Sequence, residues 1–92
     1  SRDVPDAVEL TQNYPNPFNP VTTIAFGLPE PSRVSLSVYT VKGELVETIV
    51  SGTLGAGYHE YDWNAKTAAS GIYFYRLEAG DFSATKKMVL LK

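Results

Sequence analysis

Apolar and polar residues alternate with a period of two along most of this chain, and glycine or proline breaks the alternation at short intervals. Over Arg33–Thr40, Val34, Leu36 and Val38 fall on one side and Ser35, Ser37 and Tyr39 on the other, which is the signature of a strand with one buried and one wet face. Val21–Leu28 is β-branched and sets Ile24, Phe26 and Leu28 on a common face. In Tyr58–Trp63, Glu60 and Asp62 mark the solvent side together with Tyr58, so Tyr61 and Trp63 are expected inside, on the face they share with His59. Ile72–Leu77, opened by Gly71, is the most apolar segment; it lacks a clean polar face and is expected to be a central strand. A short first strand over Val8–Gln12, another over Leu45–Val50 and a last one over Ser83–Leu91 complete the set.

The breaks between these segments predict how they connect. Val41-Lys42-Gly43-Glu44 places Gly43 where a tight reversal needs φ > 0, which makes Arg33–Val50 a β-hairpin. Ser51–Gly57 reads as a loop, and Asn64–Ser70 as a connection of small residues in which Ala65–Ala69 can close a single helical turn. Gly71 is expected at a bend that requires φ > 0, and Ala79–Phe82 forms the last reversal. About seven strands with turn signals every eight to twelve residues predict an all-β antiparallel sandwich.

One stretch fits neither helix nor strand. In Asn13-Tyr14-Pro15-Asn16-Pro17-Phe18-Asn19-Pro20, three prolines and three asparagines enclose two aromatic rings. Each proline removes a backbone donor and fixes φ, and each residue before it is pushed out of the α region. The segment is therefore stiff, and Tyr14 and Phe18 can pin it to a core. A rigid connector between two strands is the favoured reading over a surface epitope.

Composition narrows the function. Ninety-two residues form one domain, expected over residues 8–92 behind a polar linker at 1–7. The sequence begins with neither methionine nor an apolar leader, so it is expected to be a piece of a longer protein. A net charge of −2 without a basic stripe argues against nucleic acid. There is no cysteine, hence no disulfide or thiolate site. The longest apolar run, Met88–Leu91, falls far short of the roughly 20 residues of a membrane helix, so no transmembrane segment is expected.

Chemistry finds little to work with. His59 is the lone histidine, and no Gly-x-Ser-x-Gly turn accompanies it, so a packed strand histidine is the better reading. Glu60 and Asp62 share a face but lack a third oxygen-rich element for calcium. Gly52, Gly55 and Gly57 lack the ending of a phosphate cradle. No cofactor, metal or catalytic residue is expected. Tyr39, Tyr58, Tyr73 and Tyr75 could line a stacking strip for sugars, as in a carbohydrate-binding or structural accessory module, although packing is the commoner reason for such rings. The terminal strand reads as an edge strand whose free end a partner could grip by strand addition.

Taken together, Leu10–Pro20, Thr22-Thr23-Ile24, Val38-Tyr39 with Gly43, Ala56-Gly57-Tyr58-His59, Trp63, Ser70–Leu77 and Lys86–Leu90 resemble, in order and spacing, the C-terminal sorting domain of the bacterial type IX secretion system. The resemblance runs from Leu10 to Lys92 and implies an immunoglobulin-like sandwich, similar to the Ig-like domain of flagellar hook-capping proteins. In that group the loop after the tryptophan is commonly longer and begins Asp-Gly, whereas here Trp63 leads into Asn64-Ala65 and a short link. By the same resemblance the domain is a non-catalytic signal at the end of a secreted cargo protein, recognised by the outer-membrane translocon and removed by a surface cysteine peptidase. The recognition element would be Lys86, Lys87, Met88, Val89, Leu90, Leu91 and Lys92, and the cut would fall in the linker before Leu10. Asn13–Pro20, Gly43, Trp63 and Gly71 would be structural.

Overall fold

The computed structural model describes residues 4–92, in which seven strands and no helix are found. The strands are β1 (Glu9–Leu10), β2 (Val21–Leu28), β3 (Ser32–Thr40), β4 (Leu45–Leu54), β5 (Gly57–Asn64), β6 (Gly71–Ala79) and β7 (Phe82–Leu90). They form two antiparallel sheets, ordered β1-β2-β5 and β4-β3-β6-β7. This is the expected all-β, immunoglobulin-like sandwich.

The alternation in the sequence becomes the core directly. Ile24, Phe26 and Leu28 of the first sheet meet Val34, Leu36, Val38, Tyr75, Leu77, Met88 and Leu90 of the second, and all of these are buried. Trp63 is buried as expected; Tyr61 is only half-buried, with its ring stacked on Phe26 at 6.0 Å. The β3–β4 hairpin turns at Gly43, whose φ of 88° is left-handed, and the Gly43 amide donates to the Thr40 carbonyl at 2.9 Å. Gly71 takes φ 148°, as its place at a bend demands.

Three expectations need correction. The first strand is two residues long rather than spanning Val8–Gln12: beyond Leu10 the chain is joined to β2 only by the Thr11 amide, which donates to the Ala25 carbonyl at 3.0 Å, and by an isolated bridge between Tyr14 and Thr23. The predicted loop at Ser51–Gly57 shrinks to Gly55-Ala56: β4 runs on to Leu54 through Gly52, which takes φ 143°, and the glycine and serine content disguised the strand. β6 is internal, as expected, yet it alternates cleanly, with Tyr73, Tyr75, Leu77 and Ala79 inside. It looked unpatterned because Ile72 and Phe74 stand on the outer face. Of the expected linker over residues 1–7, Ser1–Asp3 lie outside the described residues, and within the rest Pro5 is buried.

Candidate functional site

Strand β7 is an edge strand, and its side chains divide by parity. Met88 and Leu90 are fully buried and Lys86 is half-buried on the same inward row, while Lys87, Val89 and Leu91 stand on the opposite side. Pairing with β6 consumes the backbone groups of alternate residues, so the odd-numbered ones turn their N–H and C=O toward the free edge.

That edge is not open. The segment between β1 and β2 keeps only isolated bonds to its own sheet, at Thr11 and Tyr14, and runs along β7. Gln12 Nε2 donates to the Lys87 carbonyl at 2.7 Å, and the Val89 amide donates to Asn16 Oδ1 at 3.0 Å. The Phe18 amide donates to the Val89 carbonyl and the Leu91 amide to the Phe18 carbonyl, both at 3.0 Å, which makes a short parallel bridge. Proline, unable to extend a ladder, suits such a strap: it touches β7 at chosen points and offers little free edge of its own. The expectation that the terminal strand could be gripped by strand addition is thus corrected for Lys87–Leu91, whose edge is already taken; Ser83 and Thr85 keep unpaired edge groups among the described residues.

Polar and aromatic anchors hold the strap down. Asn13 is buried; its amide donates to Tyr75 Oη at 2.8 Å, and its Nδ2 donates to Thr22 Oγ1 at 2.9 Å and to the Pro15 carbonyl at 3.2 Å. Tyr75 Oη in turn donates to the Thr11 carbonyl at 2.6 Å. Burial pushes the Tyr75 phenol up to about 12, against a smaller lowering by its hydrogen bond with the Asn13 backbone. Tyr14, exposed itself, pairs by backbone with Thr23, and the Ala65 amide donates to the Pro20 carbonyl at 2.9 Å. The Tyr14-Pro15, Asn16-Pro17 and Asn19-Pro20 bonds are cis. Phe18 lies 5.9 Å from Trp63, whose other neighbour is Tyr73 at 5.8 Å, and Trp63 Nε1 donates to Glu47 Oε1 at 3.0 Å. Sequence reasoning found the proline segment but missed its destination, and it missed Gln12 and Tyr75 as its anchors and Glu47 as the partner of Trp63. Only the adjacency of Gln12 to the motif could have pointed to one of them.

Other candidates come to less. His59 Nε2 bonds the Gly55 carbonyl at 2.8 Å and its ring stacks on Phe26, so it is a packing residue. Asp62 accepts from Thr23 Oγ1 at 2.7 Å, and no group of three or more potential metal ligands occurs among the described residues. The tyrosine strip does not exist: Tyr73 and Tyr75 are in the core, Tyr58 is 62% exposed on the first sheet, and Tyr39 lies on the outer face of the second. With the rings dispersed by the strand period, nothing supports the carbohydrate-binding alternative. Gly52, Gly55 and Gly57 belong to the β4–β5 crossover.

The fold is thus a small two-sheet sandwich whose edge strand β7 is strapped by the segment between β1 and β2. The family model of the secretion system C-terminal sorting domain matches residues 12–91, and the chain belongs to that family. It is therefore a C-terminal secretion signal of the type IX system, and the family is one of non-catalytic sorting signals. Among solved structures it is similar to PorZ, an essential bacterial surface component of the type IX secretion system of Porphyromonas gingivalis, with a TM-score of 0.64 and 25% identity. That likeness covers 88% of this chain and 11% of PorZ, so this chain corresponds to a small part of the longer protein. No curated protein matches the chain.

Proposed function

We propose that this domain directs an upstream cargo domain in the same chain through the outer-membrane type IX translocon to the cell surface, and that the translocon reads β7 within Lys86–Lys92. The observation that supports the reading most directly is the division of that strand. Lys87 and Leu91 offer exposed side chains and Val89 a half-buried one to the outside, while Met88 and Leu90 hold the strand in place from within. After export, a surface cysteine peptidase removes the tail by cutting before Leu10, where Asp6 and Ala7 are exposed.

Full-length cargo lacking residues 86–92 is expected to stay inside the outer membrane of a host with this system. Because that deletion also strips Met88 and Leu90 from the core, a companion variant carrying Val89→Asp and Leu91→Asp keeps both core residues and separates lost recognition from lost folding. Normal surface delivery of both variants would overturn the reading.

A further inference from the structure

We infer that the partner docks flat on the outer face of the four-stranded sheet, through an apolar surface that sets a carboxylate opposite Lys87. This rests on the reading just given and names the face by which β7 is read.

Three observations lead there. The first is exclusion. A partner cannot extend the sheet along Lys87–Leu91, because Gln12, Asn16 and Phe18 already hold those backbone groups. It cannot reach Met88 or Leu90, which are fully buried. What remains of the strand is the outward row.

The second is that the outward row continues across the sheet as a surface. Leu45, Tyr39, Phe74 and Lys87 stand in register over all four strands, and Ile72 pairs with Val89 in the adjoining row. Leu45 is 59% exposed, Ile72 43% and Leu91 54%. Single exposed apolar side chains are ordinary, but an apolar group contiguous over four strands is the kind that marks a contact. A depression of about 280 Å³ lies where the patch meets the polar end of the face, with Tyr39, Val41 and Phe74 on one side and Arg76 and Thr85 on the other, and could receive one partner side chain. The patch is confined to the end of the sheet where β7 finishes. Toward the β6–β7 turn the same face carries Arg33, Ser35, Arg76, Glu78, Ser83 and Thr85.

The third is charge. Arg76 is paired with Glu78 at 3.1 Å, whereas Lys87 has no carboxylate partner among the described residues. An unpaired ammonium at the end of an apolar row selects a partner that brings the opposite charge. A second copy of this chain would be a poor occupant, because a two-fold contact sets the same patch against itself; the two apolar rows contain no carboxylate for Lys87, and Glu78, toward the other end of the face, is paired with Arg76.

The test uses full-length cargo in its own host, with Ile72→Asp, Leu45→Asp, Lys87→Glu and Lys87→Arg compared against the Val89→Asp, Leu91→Asp variant. Export and the melting temperature of the purified cargo are read for each. Ile72→Asp and Lys87→Glu are expected to lower export by about ten-fold or more, as for central contacts of an interface, with Lys87→Arg, which keeps the charge, lowering it far less than Lys87→Glu and with melting retained. Lys87→Glu alters only an exposed side chain, so it carries the test even if Ile72→Asp fails to fold. Normal export of Ile72→Asp, Leu45→Asp and Lys87→Glu, while the Val89→Asp, Leu91→Asp variant is retained, would overturn the docking face and leave the β7 reading standing. Export of every variant would remove both. Loss of cargo self-association in sedimentation with unchanged export would assign the patch to a second copy and overturn the inference.

Discussion

Strands β4 and β7 form the two edges of the same sheet, yet their backbones are treated in opposite ways. β4 pairs with β3 through two register shifts, between Leu36 and Ser37 and between Val38 and Tyr39. Such bulges bend and twist an edge away from any template, so β4 can be left with Leu45–Thr48 exposed. β7 pairs with β6 over nine residues without a shift. A straight edge of that length invites pairing with other chains, and here a separate segment covers its final part. A bulge blocks an edge by changing where side chains point, whereas a strap blocks the backbone and leaves the strand regular. Only the second device lets Lys87, Val89 and Leu91 keep one outward register. The half-buried Lys86, on the inward row beside Tyr75, adds a charge that also discourages edge pairing.

Trp63 is where the two edges meet, since its ring contacts Phe18 of the strap and its Nε1 bonds Glu47 of β4. Trp63→Ala should therefore have the largest effect, on the order of 3 to 5 kcal/mol by urea unfolding, as for other large aromatic truncations in a core. It should loosen both edges at once. Retention of the native unfolding midpoint would show that the strap and β4 do not share a core.

Tyr75 separates the edges, because it anchors the strap and touches no part of β4 pairing. Its folded pKa of about 12 lies above the ordinary value of 10.0, so the unfolded chain gives up its proton first as pH rises. The stability it contributes is complete below about pH 10 and is lost as pH climbs toward 12. The loss should amount to about 2 to 3 kcal/mol at 1.36 kcal/mol per pH unit. Tyr75→Phe should remove that alkaline slope, while leaving the Asn13 amide and Thr11 carbonyl without their partner at neutral pH. An alkaline slope that persists unchanged in Tyr75→Phe would sink the assignment.

The comparison also shows which parts of the molecule were legible in the sequence. The core was, because the two-residue period of Val34, Leu36 and Val38 or of Ile24, Phe26 and Leu28 is set by the strand backbone itself. Gly43 and Gly71 were legible as turns for a similar local reason. The β4 bulges were not, since they depend on how β3 and β4 slide against one another and leave no mark in Leu45–Leu54. Stiffness of Asn13–Pro20 could be read from its prolines, but its resting place could not, because the bonds to Lys87, Val89 and Leu91 join residues more than seventy positions apart. Ile72 and Phe74 misled in an informative way: apolar residues on an outer face blur the period of β6 and conceal a surface as if it were core.

Asn16 offers the smallest and most selective break. Its side chain is exposed, and its Oδ1 accepts one bond, from the Val89 amide. Asn16→Ala should lower stability by only about 0.5 to 1.5 kcal/mol, the ordinary net worth of a hydrogen bond, because water can replace the acceptor. The local consequence should be larger than the global one. Val89 would exchange its amide hydrogen faster through local opening, and Leu91, held by Phe18 one step along the strap, would follow more weakly. Amides of β4 should keep their wild-type rates, since no strap atom bonds that edge. If β4 and β7 amides accelerated together, the strap would be part of one global fold rather than a cover for one edge, and the distinction drawn between the two edges would collapse.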